Sequence, residues 1–369
     1  MQERERLGHI DAMRGLAALV VAYFHITQFF MEIPSVAANG TLLNEISYQL
    51  GFGRLGVLTF FAISGFVICP TLTGDKARGV RRFVISRFFR LFPAFWASMF
   101  LMLAVQFFLL GQDLDLAQVL GNLPMLYPVF GVAPVIGVYW TLEVELLFYF
   151  LCVVLFALNV LHRPLALFGL GLALMACSEW IFSNPDIRYG ITQATGEWVW
   201  AFTPWNLAIM FWGGLFRMWY DDRQRRVSVG GRSVPLSLPV FTLLGVILLR
   251  PAILIVVWVI EAKFWAIREM FAFFLGLGIF VVGALFIRVN NRFLVWLGTI
   301  SYSVYLLHIV GIHLVHQVLL QLPERWMSLH MGVYLVLCLA VCIGMSAIVY
   351  YLIEKPAIRK GRELQKRLA

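Results

Sequence analysis

The chain has 369 residues, 61% of them hydrophobic and 13% charged, with a mean hydropathy of +0.84. Ordinary globular domains are about half apolar and about a quarter charged, so a water-soluble domain is excluded. The net charge of +9 would suit a nucleic-acid binder, but its placement along the chain is explained by membrane topology, and no nucleic-acid partner is expected. The five cysteines sit inside apolar runs without metal-ligand spacing, so neither disulfides nor a metal site is indicated.

Runs of about twenty apolar residues are long enough to cross ~30 Å of hydrocarbon as helices. Ten occur, at roughly 12–33, 52–70, 91–112, 142–160, 164–183, 203–220, 236–259, 268–287, 296–319 and 329–352. The expected fold is all-α, a polytopic membrane bundle of about ten transmembrane helices. Residues 1–355 form the membrane domain and 356–369 a basic tail. The first run carries His25 and Gln28 and follows Glu3, Glu5 and Asp11, which suits a retained helix better than a cleaved signal peptide. Basic residues recur at alternate ends of the spans: Arg4, Arg6 and Arg14, then Lys76 to Arg90, Arg217 to Arg232, Arg288 and Arg292, and Lys355 to Arg367. With an even number of spans, that bias places both termini in the cytoplasm.

Polar groups at membrane depth are costly and call for a reason. In the first span, Arg14 and His25 are eleven residues apart, which on a helix leaves them ~20° apart around the axis and ~16 Å apart along it. His25 is either a histidine bonded between helices or a neutral imidazole poised as a general base; the shared stripe with Arg14 favours the base. In the third span's basic approach, Arg87 and Arg90 stand at i and i+3 and present two guanidinium forks on one face. They suit either phosphate binding or topogenic and lipid-headgroup charge.

Further along, Glu143 and Glu145 lie ~200° apart on a helix, so one faces a site and the other the interface. Tyr149, at i+4, selects Glu145 as the inner acid, and Glu143 suits a helix-dipole role. Ser64 and Gly65, mid-span, read first as packing residues. Ser301, Tyr305 and His308 share one face of the ninth span with Tyr302 beside them, lining a cavity or bonding between helices. Arg250, before Pro251 inside the seventh span, either lines a cavity or marks a broken helix.

These residues together resemble the acyltransferase-3 family of integral membrane O-acyltransferases. Arg14 with His25 is similar to its Arg-x10-His signature, and Arg87-Phe88-Phe89-Arg90 to its Arg-x-x-Arg. The stretches Phe60 to Phe66, Trp140 to Tyr149 and Ser301 to His308 resemble three further family elements in order. Thr141 stands where the family usually has serine, and Leu146-Leu147 where it often has Glu-Gln.

The resemblance implies an O-acyltransferase, of the type that acetylates glycans, in a bacterial cytoplasmic (inner) membrane. Acyl-CoA, acetyl-CoA being the expected form, is the co-substrate, with no permanently bound cofactor. The acceptor is a hydroxyl of a cell-surface or lipid-linked saccharide on the outer side. His25 and Glu145 are the expected catalytic residues. Arg14, Arg87 and Arg90 are expected to hold the donor, and Ser64, Trp140, Ser301, Tyr302, Tyr305 and His308 to line the acceptor cavity. Many relatives carry a fused extracellular hydrolase-like domain; none is visible in these residues, so His25 is expected to act on the acceptor directly. The alternative is a transporter or flippase of a glycolipid or polysaccharide precursor, which would favour paired Gly/Pro-broken helices that the sequence does not display.

Overall fold

A computed structural model describes residues 7–195, 198–261, 264–288 and 291–367, and excludes the side chains of 193–199 and 262–266. Arg4 and Arg6 lie outside the described residues. Of the described residues, 82% are helical. Its main helices are α1 (Gly8–Met31), α2 (Phe52–Ile68), α3 (Lys76–Ala104), α4 (Trp140–Ala157), α5 (Pro164–Ser183), α6 (Thr203–Asp221), α7 (Ser237–Ile260), α8 (Phe264–Leu285), α9 (Arg292–Leu320), α10 (Met331–Val349) and α11 (Lys355–Arg367). Among the described residues the only strands, Arg226–Val229 and Arg232–Pro235, form a hairpin that turns at Gly230 and Gly231, both at positive φ as a tight hairpin turn requires.

The bundle is therefore all-α and polytopic. Among the described residues nine helices are long and apolar enough to cross a membrane. The tenth expected span is α6, whose apolar content is diluted by Asn206, Gly213, Gly214 and Arg217. Every residue from Trp205 to Phe216 is buried. A helix enclosed by protein does not have to match lipid on its outside. Helix α3 begins fifteen residues before the expected third span, because nothing between Lys76 and Leu91 breaks a helix; Pro93 lies within it. Arg87 and Arg90 thus sit mid-helix rather than at its start.

The chain folds as two compact units. The described residues of 7–59, 86–114 and 261–367 make the first, and those of 60–85 and 115–260 the second. In the first unit, α1 packs lengthwise on α9. A Cβ on Gly15 would stand 2.7 Å from the backbone nitrogen of Gly298, and one on Gly298 would overlap the carbonyl of Asp11. Only glycine at both positions allows backbone to meet backbone. Beyond that crossing, Ala22, Ile26 and Phe30 of α1 join Ile312 and Val315 of α9 and Tyr334 and Cys338 of α10 in a buried cluster. Phe30 stacks on Tyr334 with ring centroids 4.6 Å apart.

In the second unit, α6 packs against α5 and against the later half of α2. A Cβ on Gly65 would overlap the carbonyl of Met210, and one on Gly213 the carbonyl of Ala62, so the packing role read for Gly65 is what the structure has. Arg250 does not mark a break: α7 runs through Pro251, and the guanidinium pairs with Glu179 of α5 and lies 4.3 Å from the centre of the Phe182 ring. An ion pair and an aromatic face satisfy a charge that would be costly alone in hydrocarbon.

Candidate active site

One basic cleft of about 720 Å³ opens in the first unit. Asp11 and Arg14 of α1, Arg90 of α3, and Gly298 and Thr299 of α9 form part of its wall. Tyr350 and Tyr351 and then Lys355, Arg359 and Arg362 of α11 complete it. The three α11 cations fall at i, i+4 and i+7, one face of the helix. Its opposite side carries Gly361, whose missing Cβ lets the ring and Cβ of Phe89 approach; an added Cβ would stand 2.8 Å from the latter. The tail read as a basic appendage is thus a helix docked on α3, with three of its cations on the cleft wall.

Residues Tyr350–Glu354 form one π-helical turn between α10 and α11. Such turns are often found at functional sites. Here it carries Glu354, which is fully buried. Arg90 Nη1 donates to Glu354 Oε1 at 2.5 Å and Ser303 Oγ donates to Oε2 at 2.6 Å, tying α3, α9 and the π turn together. The Arg90 guanidinium also lies 5.9 Å from the centre of the Tyr302 ring. Of the two expected phosphate forks, Arg90 lies on the cleft wall beside Arg14. Arg87 is half-buried and does not contribute to that wall.

Further along the same α1 helix, His25 is half-buried, and its ring lies 5.1 Å from that of His308 on α9, tilted by 34°. His308 is 1% exposed, and its Nδ1 lies 2.7 Å from the Tyr305 carbonyl oxygen. A carbonyl only accepts, so Nδ1 carries the proton. The neighbouring hydroxyls are committed elsewhere: Ser301 donates to the Gly298 carbonyl at 2.9 Å, and Tyr302 to the Leu91 carbonyl of α3 at 3.0 Å. Ser301 thus bonds within its own helix and Tyr302 across to α3. Tyr305 is buried with its ring 5.8 Å from that of His308.

The second unit holds Ser64, Trp140 and Glu145. Glu145 Oε1 accepts from Tyr149 at 2.6 Å and from Ser64 at 3.3 Å, so the i+4 pairing expected from spacing is present. Trp140 meets Phe61 edge to face at 6.2 Å. Glu143 differs from expectation. It is 2% exposed, more buried than Glu145, because the first turn of α4 is itself covered along with Thr141, Leu142 and Val144.

The apolar spans, the cleft of basic side chains and the histidine pair between α1 and α9 define an integral membrane protein with a basic cleft. A family model described as an acyltransferase domain (acyltransferase-3) matches residues 7–350, nearly the whole chain. The chain belongs to that family and is a membrane acyltransferase. No curated protein and no solved structure matches it.

Proposed function

We propose that the protein transfers an acyl group, acetyl in the first instance, from cytoplasmic acyl-CoA to a hydroxyl of a cell-surface or lipid-linked glycan beyond the bacterial inner membrane, with His25 as general base. One observation carries this reading: Arg14, on the wall of the basic cleft, shares a continuous helix and one stripe with His25, ~16 Å further along the axis. Phosphates of the donor seat among Arg14, Lys355, Arg359 and Arg362, where planar and point charges complement them. The pantetheine arm then extends along the α1 stripe and delivers the thioester to the imidazole.

At that point a His25 ring nitrogen takes the proton of the acceptor hydroxyl as its oxygen attacks the thioester carbonyl. The new C–O bond forms, the C–S bond breaks, and the CoA thiolate leaves with the proton from His25. Glu145, held by Tyr149 and Ser64, is assigned with Trp140 to the acceptor, whose remaining hydroxyls donate to the carboxylate while a C–H face of the sugar packs on the indole. Arg87 is assigned to the donor's approach rather than to its seat.

The test is purified protein in liposomes with radiolabelled acetyl-CoA and a panel of bacterial saccharides. Label in a saccharide together with free CoA supports the reading. Passage of unmodified saccharide with no label incorporated would favour the transporter alternative.

A further inference from the structure

The His308 ring is built in a way that the base assignment for His25 alone does not use. Its Nδ1–H is spent on the Tyr305 carbonyl, so in the neutral ring Nε2 bears the lone pair. That atom is buried and has no hydrogen-bond partner among the described residues. An unsatisfied buried acceptor is unfavourable, and native structures keep few of them without a reason. The ring beside it is His25, the two ring centroids lying 5.1 Å apart with the planes tilted by 34°.

We propose that His308 Nε2 is a reserved acceptor for protonated His25. When His25 removes the hydroxyl proton, it becomes an imidazolium with two N–H groups; one faces the departing thiolate and the other donates to Nε2. The donating N–H is already present in the neutral base, but the hydrogen bond strengthens as His25 becomes charged, so it stabilises the transition state more than the ground state. No proton leaves His25 towards His308: the proton taken from the acceptor passes to the CoA sulfur, and His308 stays neutral throughout. His308 is therefore a positioning residue acting through His25. The Tyr305 carbonyl is what holds it in the competent tautomer.

This rests on His25 being the base, and the experiment separates the two. Steady-state transfer is measured for wild type, His25→Ala, His308→Leu and His308→Gln, each checked for unchanged thermal unfolding in detergent. His308→Leu is expected to lower kcat by roughly 10- to 100-fold with KM for acyl-CoA held, the range of a hydrogen bond to a charged group. His308→Gln, whose amide oxygen replaces the Nε2 acceptor, is expected to recover much of that loss. An active His25→Ala enzyme overturns the base assignment itself. An inactive His25→Ala with His308→Leu at wild-type kcat overturns only the reserved acceptor. Loss of folding or of donor KM in both His308 variants, without a difference between leucine and glutamine, also overturns it.

Discussion

Arg90 and Glu354 are 264 residues apart in the chain and 2.5 Å apart in the structure, with the carboxylate completely buried. The pair fastens the π turn to α3 and so sets where α11 begins. Breaking a buried pair leaves an uncompensated charge, which costs about 3–5 kcal/mol. Arg90→Ala is expected to lower thermal stability strongly, and Arg90→Met combined with Glu354→Leu to recover most of it. Equal melting of the single variant and wild type would remove the pair from the structural account.

The α11 cations act differently because they are exposed at the cleft and separate from that pair. Arg359→Ala with Arg362→Ala is expected to raise KM for acyl-CoA by roughly 5- to 50-fold with little change in kcat, at about 1 kcal/mol or more per lost phosphate contact. The effect shrinks as salt is raised, since these charges are screened. Arg87→Ala raises KM less. Initial rates against donor concentration at two ionic strengths distinguish these outcomes.

The Gly15·Gly298 crossing determines how closely α1 lies on α9, and hence the separation of His25 and His308. Gly298→Ala forces a methyl into the Asp11 carbonyl, an overpacking that costs typically 1–3 kcal/mol. Lower thermal stability and lower transfer rate are expected together. Gly344→Ala, with open space at its Cβ, is expected to be neutral or slightly stabilising.

In the second unit, Tyr149→Phe removes the shorter of the two hydrogen bonds to Glu145 and leaves Ser64 in place. A several-fold fall in kcat for saccharide, with donor KM unchanged, is expected from a loss of about 1 kcal/mol. Glu145→Gln tests the charge itself and is expected to cost more.

Much of this arrangement is legible in sequence because it is local. The Arg14–His25 stripe follows from helical period, and the Glu145–Tyr149 bond from a four-residue step. The spans follow from apolar runs, α6 among them as the run 203–220, though its burial by neighbours is not revealed by composition. What stays hidden is non-local. No spacing rule connects Arg90 to Glu354 or Arg250 to Glu179. Lys355, Arg359 and Arg362 read as topogenic charge until the π turn and Gly361 dock their helix. Glu143 reads as an interface acid because the cover over the first turn of α4 comes from tertiary packing. His308 shows as a polar residue on the right face, but its fixed tautomer and its place beside His25 depend on the α1–α9 crossing.

The most direct measurement is transfer by purified His25→Ala, paired with equilibrium binding of acyl-CoA to the same preparation. Transfer is expected to be abolished while donor affinity stays within about twofold of wild type, because the basic cleft lies ~16 Å away along α1. Retained transfer in a correctly folded His25→Ala protein would contradict it.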